Sequence, residues 1–528
     1  VFVDLETIRR GTELSADVVI VGAGPAGITL AKELERGSHR VILLEAGGER
    51  PVERSSLRQE LELTGDAPTN VHDGRARTLG GASTLWAGQV MPLDELDFGM
   101  RPWVDHSGWP YSRPTLDGFY RRAEAMLGLP PSTYDAAGWP PGSPRPPDLG
   151  PDLAFGFSRF ARTVDFARAF GPAFRRSVRV TTVLNAMATR LVLDGDRSRV
   201  EYVETISPGG NTARVRGRVY VVCCGAIETA RLLLVSGLDS SPSGGGRPVG
   251  RYFQEHVHLK LRLLPSSRRR AEAMFNSRLT SAPSGDHRRA RRVRAYPKVI
   301  ASRAWQEQHG LLRVGADVCY ATDRSPVVAG KALVRSLRSS PRAVPAAVAG
   351  LVGQAPQVLG MAWRTLATGA KPSEGGGDMF LSVQCENAPS ADNRVTIGEP
   401  AGTSGAPRAV LHWRVGEAET ATITSFVDTL AQRLEHSGVA RVERPDPWPL
   451  PLDELAARID VGHHHMGTAR MHEDSRHGVV DANCRVHGIA NLYAGGASVF
   501  PAGGFSNPTL TILALCMRLA DHLRATLP

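Results

Sequence analysis

The stretch DVVIVGAGPAG (17–27) leaves the surrounding chain few folds to choose from. A β-branched apolar run opens into Gly22-x-Gly24-x-x-Gly27, and the helical pattern ITLAKELERG follows. A second apolar run, RVILLEAG, then ends in Glu45, eighteen residues beyond Gly27. Strand, glycine turn, helix and strand, closed by an acid at this spacing, describe a βαβ unit that grips a dinucleotide. Gly22 permits the tight turn, Gly24 lets the backbone approach a pyrophosphate, and Gly27 lets helix and strand pack closely. The helix amino terminus faces the phosphates, and Glu45 can accept from a ribose hydroxyl. The unit suits NAD or FAD. Its place near the start, without a second copy later, points to FAD held as a prosthetic group.

A chain of 528 residues exceeds what one core organises, so two or more domains are expected. The excess of 63 basic over 53 acidic residues is spread through arginine-rich stretches without interleaved aromatics, so nucleic acid is not expected as a partner. Six cysteines lie scattered, none in a CxxC pair, as buried reduced thiols do. The opening VFVDLETIRRGTELSAD lacks the pattern of a signal peptide and lacks an initiating methionine, which suggests trimming. No apolar run reaches the roughly 18 residues of a membrane span, and a soluble cytoplasmic protein is expected.

Three further segments carry motifs. RARTLGGASTLWAGQV (75–90) is a glycine-rich loop in which Gly80 and Gly81 allow close approach to a flat ligand. VYVVCCGAIETARLLLVSG (219–237) is a strand, a turn and an amphipathic helix, a βα unit returning to the first sheet; Cys223 and Cys224 are expected to be packing residues. NLYAGGAS is a strand into a glycine turn, and PTLTILALCMRLADHL has helical periodicity. The SNPT turn puts Asn507 at the cap and Pro508 at the first helical position. A helix end of this kind carries partial positive charge and suits the pyrimidine edge of a flavin.

Taken in order, VVIVGAGPAG with Glu45, GGASTLWAG, CGAIETARLLL, VGRYFQEH, HHHMGTARM and ASVFP…SNPTLT resemble the glucose–methanol–choline (GMC) oxidoreductases, FAD enzymes that oxidise alcohols. The likeness runs from about residue 17 to 523, and residues 265–375 contribute little to it. It implies an α/β fold with an α+β cap: a discontinuous Rossmann-like FAD-binding domain (10–95, 155–260 and 455–528), a connecting segment (96–154), and a substrate domain of sheet and helices (261–454). It implies His464, three residues before Gly467-Thr468, as catalytic base, with Asn507 as the second active-site position. Cofactor contact falls to Gly22, Gly24, Ala26, Gly27 and Glu45, then to Gly81, Ser83, Trp86, Ala87 and Ala188. Ala497, Asn507, Pro508 and Thr509 complete it. Some members attach flavin through a histidine where this chain has Leu85, so non-covalent FAD is implied. Trp86 replaces the usual asparagine of that loop. With Asn507 and PTLT, it is closer in style to pyranose oxidase and related sugar dehydrogenases.

The run His463-His464-His465 raises a metal question. If 461–465 is extended, His463 and His465 share a face and His464 points alone to the other. The pair lacks an acid or cysteine at metal-ligand spacing, so no metal is expected. DMFLSVQCEN (378–387) and RAVLHWRV (408–415), with NRVTIG between, are strand-like and expected to form the sheet that meets substrate; Gln384, Glu386 and His412 are pocket polar groups or ordinary sheet residues. Basic segments 268–294 and 324–373 form solvated helical faces, or dock on an anionic membrane or a partner subunit. The expected reaction is oxidation of an alcohol on a sugar, glycoside or aminosugar, with oxygen or a quinone or dye as electron acceptor. The alternatives are a non-sugar alcohol, or a membrane-docked flavin dehydrogenase subunit.

Overall fold

The computed structural model describes residues 1–131, 133–138, 147–240, 246–276, 278–281, 292–321, 378–401 and 405–527, with residue 345 alone between 322 and 377. Its first sheet has eight strands. Phe2–Asp4, Val180–Leu184, Val41–Leu44, Thr12–Val21 and Thr212–Val222 lie side by side in parallel, and Leu492–Ala494 also pairs in parallel with Thr212–Val222. Val200–Ile206 and Met187–Leu193 extend it antiparallel. Val18 to Val21, Val41 to Leu44 and Val219 to Val222 are all buried, because helices cover both faces of a parallel sheet. Helices Pro25–Leu34 and Thr509–Thr526 pack against each other over it.

The second sheet is antiparallel and nine-stranded, in the order Ala440–Glu443, Val257–Pro265, Met379–Cys385, Val314–Tyr320, Arg292–Ala301, Leu153–Phe160 and Gln89–Val90; Arg278–Ser281 and Asp460–Val461 attach at its sides. Helix Glu417–His436 buries its apolar face in the core of this half. Arg394–Pro400 and Pro407–Trp413 form a separate three-stranded sheet with Leu61–Gly65.

Several expectations change. Phe2–Asp4 joins the dinucleotide sheet ahead of residue 10. Leu153–Phe160 belongs to the antiparallel sheet, because it pairs along its length with Arg292–Ala301. The strands read at 378–387 and 408–415 sit in different sheets, and NRVTIG is itself a strand of the smaller one. In the basic segment 268–294, Arg268–Phe275 is a helix whose Arg268 pairs with Glu272. The segment 324–373 lies outside the described residues apart from residue 345. Among the described residues, no helix is long and apolar enough to cross a membrane.

Candidate active site

A cavity of about 680 Å³ opens at the carboxyl ends of the parallel strands, where Val21, Leu44 and Cys223 reach its wall. That is where open α/β sheets bind ligands. Gly22, Gly24, Ala26, Glu45, Gly81, Ser83, Trp86, Ala87 and Ala188 line it, and so do His464, Ala497, Asn507, Pro508 and Thr509. Gly27 does not. A Cβ there would stand 1.9 Å from the Gly22 carbonyl oxygen, so Gly27 serves the packing of helix on turn. At Gly24 nothing lies within 4 Å of a Cβ position, leaving room beside the helix amino terminus. Gly81 lines the cavity as well, and a Cβ there would lie 2.9 Å from Gly24 Cα, so its lack of a side chain also lets this loop pack against the glycine turn.

Glu45 is buried and accepts from Ala23 N at 3.1 Å and Gly47 N at 2.9 Å. Burial pushes its carboxyl up to about 7, against the pull of these two bonds. Trp86 donates its indole N–H to the Val164 carbonyl at 2.7 Å, which fixes the ring at the cavity wall.

The other end is built by two strands running past each other. Val257 pairs with Val461, and Gln254 exchanges backbone bonds with Met466. Between these pairs one side has residues 255 and 256, while the other has 462 to 465, so the histidine run must loop out. His463 therefore takes a left-handed conformation (φ 59°), and the expected extended alternation does not hold: His463, His464 and His465 all reach the cavity wall. Glu255, fully buried, fills the broken ladder by accepting from His464 N at 2.8 and 2.9 Å and from His256 N at 2.8 Å. Burial raises its carboxyl to about 8. Gly462 has no room for a side chain, since a Cβ would sit 2.7 Å from His464 Nδ1 and 2.9 Å from His258 Nε2.

His464 Nδ1 lies 2.8 Å from His256 Nδ1, and its Nε2 lies 3.3 Å from Asn507 Nδ2. Burial, then the surrounding His256, His258, His463 and His465, hold the His464 pKa well below the ordinary imidazole value. Burial likewise lowers His256 to about 4 and His465 to about 3. The imidazole facing the cavity is therefore neutral at pH 7, as a proton acceptor must be. Asn507 is not the expected helix cap: the helix starts at Thr509 without a side-chain cap, and the Asn507 amide turns to His464 with Oδ1 buried and unpartnered.

Gln384, Glu386 and His412, read as pocket groups or ordinary sheet residues, lie off the cavity wall. Glu386 forms a buried bidentate pair with Arg101 at 2.6 and 2.7 Å, His412 contacts Thr64 in the small sheet, and Gln384 stands behind His256. Glu255 and His256 carry no role in the sequence reading, although VGRYFQEH contains them. The signal was available: in a strand, His256 and His258 share one face. Among the described residues no cluster of histidine, cysteine or acid could hold a metal.

Comparison with known proteins decides the family. Models described as GMC oxidoreductase match residues 160–258 and 389–516, and one described as pyridine nucleotide-disulphide oxidoreductase matches 16–126. The chain is a GMC oxidoreductase. Over 97% of this chain and 92% of the relative, it is 23% identical to paromamine 6'-oxidase of Streptomyces fradiae. It is 28% identical to oxygen-dependent choline dehydrogenase of Ectopseudomonas mendocina over 46% of this chain and 53% of that protein. Its fold matches the crystal structure of pyridoxine 4-oxidase from "Mesorbium loti" with a TM-score of 0.55 and 21% identity, covering 96% of this chain and 98% of the other.

GMC oxidoreductases bind FAD, and the residues at the cavity fit that group. The open space at Gly24 meets an uncapped helix amino terminus suited to a pyrophosphate, and Glu45 is a buried acceptor on the same wall. The unpartnered Asn507 Oδ1 and the neutral His464 lie on that cavity too.

Proposed function

We propose that this oxidoreductase oxidises an alcohol group on an aminosugar-type molecule to a carbonyl, the carbon losing a hydride and the hydroxyl oxygen losing a proton, with His464 as the base. The observation that carries the base assignment is the His464 Nε2 to Asn507 Nδ2 approach of 3.3 Å beside a cavity that fits FAD. A substrate hydroxyl entering there donates to His464 Nε2 and accepts from Asn507 Nδ2. His464 takes the hydroxyl proton, which relieves the charge building on carbon as the C–H bond breaks. Asn507 holds the oxygen and so orients that bond. Bound FAD supplies the acceptor for the carbinol hydride. Glu255 keeps the His464 backbone in place, and the buried surroundings keep its ring unprotonated.

The aminosugar class is supported by the near full-length likeness to paromamine 6'-oxidase. Leu85 on the cavity wall offers no nucleophile, which supports FAD held non-covalently. The test mixes FAD-loaded protein anaerobically with paromamine, D-glucose, choline and ethanol and follows the flavin absorbance. Paromamine should bleach it fastest; faster bleaching by choline or ethanol would overturn the sugar class. Hydrogen peroxide on admitting air marks oxygen as acceptor, and turnover only with a quinone dye marks a dehydrogenase. Acid precipitation should release the yellow colour into the supernatant; colour retained in the pellet rejects non-covalent binding.

A further inference from the structure

Behind the proposed base stands a chain of hydrogen bonds. Gln384 Nε2 lies 2.7 Å from the Phe505 carbonyl oxygen and 2.7 Å from His256 Nδ1. The Phe505 carbonyl accepts only, so the Gln384 atom facing it is the donor nitrogen. One of its hydrogens goes to Phe505, and the other points at His256 Nδ1. A proton on that ring nitrogen would meet an N–H head-on, so His256 Nδ1 is an acceptor. The His256 proton then resides on Nε2, which is buried without a hydrogen-bond partner. His464 Nδ1, 2.8 Å from the same acceptor, must in turn be the donor. That leaves His464 Nε2 with a bare lone pair, and Asn507 Nδ2 approaches it as a donor would.

We propose that Gln384 and His256 are positioning residues that pin the proton of His464 on Nδ1 and leave Nε2, on the cavity side, as the basic nitrogen. A neutral imidazole in the other tautomer would present an N–H to the substrate hydroxyl and could not take its proton. Gln384 and His256 are buried and lie off the cavity wall, so they act through His464. The remaining charged or titratable groups around His256 are Glu255, Glu386, Lys298 and His258. The inference rests on His464 being the base.

Two substitutions separate this from plain packing. Gln384→Ala removes the donor and lets both tautomers form; flavin reduction of the FAD-loaded enzyme at pH 7 should fall about 10-fold with the best alcohol of the panel above. Gln384→Glu is closer in shape yet should be slower still, because a carboxylate accepts the His256 Nδ1 proton and reverses every donor in the chain. Its rate should recover as pH falls and the carboxyl regains a proton to donate. A packing role predicts the opposite: Gln384→Glu equal to or milder than Gln384→Ala, with no recovery in acid. That order would overturn the proposal. A second readout needs no turnover. In ¹⁵N-histidine-labelled holoprotein, with the His464 signals assigned by their loss in His464→Gln, Nε2 should be unprotonated and Nδ1 protonated in the native enzyme. The reverse would sink the proposal whatever the rates. Normal flavin reduction by His464→Ala would instead reject the base itself, and normal Gln384 variants beside a slow His464→Ala would reject only the relay.

Discussion

Two buried glutamates mark the two ends of the cavity, and they do the same thing for different purposes. Glu45 and Glu255 each sit in the interior, each accept backbone N–H groups, and each are raised by burial, to about 7 and about 8. Glu45 binds Ala23 and Gly47, at most 22 residues away in the chain, and still faces the cavity. Glu255 binds His464, 209 residues away in the chain, and lies behind the wall. The first end offers a ligand backbone and a carboxyl supplied by one short piece of chain. The second offers an imidazole whose place and protonation come from segments near 255, 384, 464 and 507. One end is local and tolerant of changes elsewhere. The other depends on how the two sheets meet.

That contrast can be broken at either end. The largest effect is expected from Gly27→Ala, where the new methyl would collide with the Gly22 carbonyl backbone; it should cost about 2–4 kcal/mol of stability and most of the bound FAD, read from thermal melting and flavin content. Full FAD loading with unchanged melting would refute the packing role. At the other end, His464→Ala should retain FAD but slow anaerobic flavin reduction by at least about 100-fold, measured by stopped flow. Glu45→Ala should weaken FAD binding by about 10-fold, as loss of a charged acceptor does, seen by titration of the apoprotein. An unchanged dissociation constant would remove Glu45 from the cofactor grip.

The finest test is pH. The base works only when neutral, and its pKa is pushed well below the ordinary 6.5 by burial and four neighbouring rings. Protonation of His464 should therefore leave the flavin-reduction rate unaffected from pH 8 down through 6.5 and lower it only in more acid solution. A half-maximal rate near pH 6.5 would mean that His464 is solvated as an ordinary histidine.

Most of the dinucleotide half was legible because its signals are consecutive. DVVIVGAGPAG and Glu45 specify strand, turn, helix and strand within 29 residues, and the observed strands Thr12–Val21 and Val41–Leu44 with helix Pro25–Leu34 follow them. The antiparallel half was read less well. Leu153–Phe160 has a mixed apolar pattern that would suit either sheet, and only its pairing with Arg292–Ala301 assigns it. Likewise RAVLHWRV alternates as a strand should, but alternation says which faces are buried and not which strand lies alongside.

The histidine run shows where local rules stop. Alternation assumes an extended backbone, and the two-residue mismatch between 255–256 and 462–465 removes that assumption by forcing His463 into the left-handed region. By itself the sequence determined the family, the glycine turn that can face a dinucleotide, and which of three histidines stands before Gly467-Thr468. The tertiary structure decided what that histidine can do. The His256 and His258 rings and the hydrogen bonds reaching its side chain come from residues more than 40 positions away in the chain, and only His463 and His465 are chain neighbours. Desolvation and proton placement depend on what lies within a few ångströms, and the folded chain alone sets those neighbours.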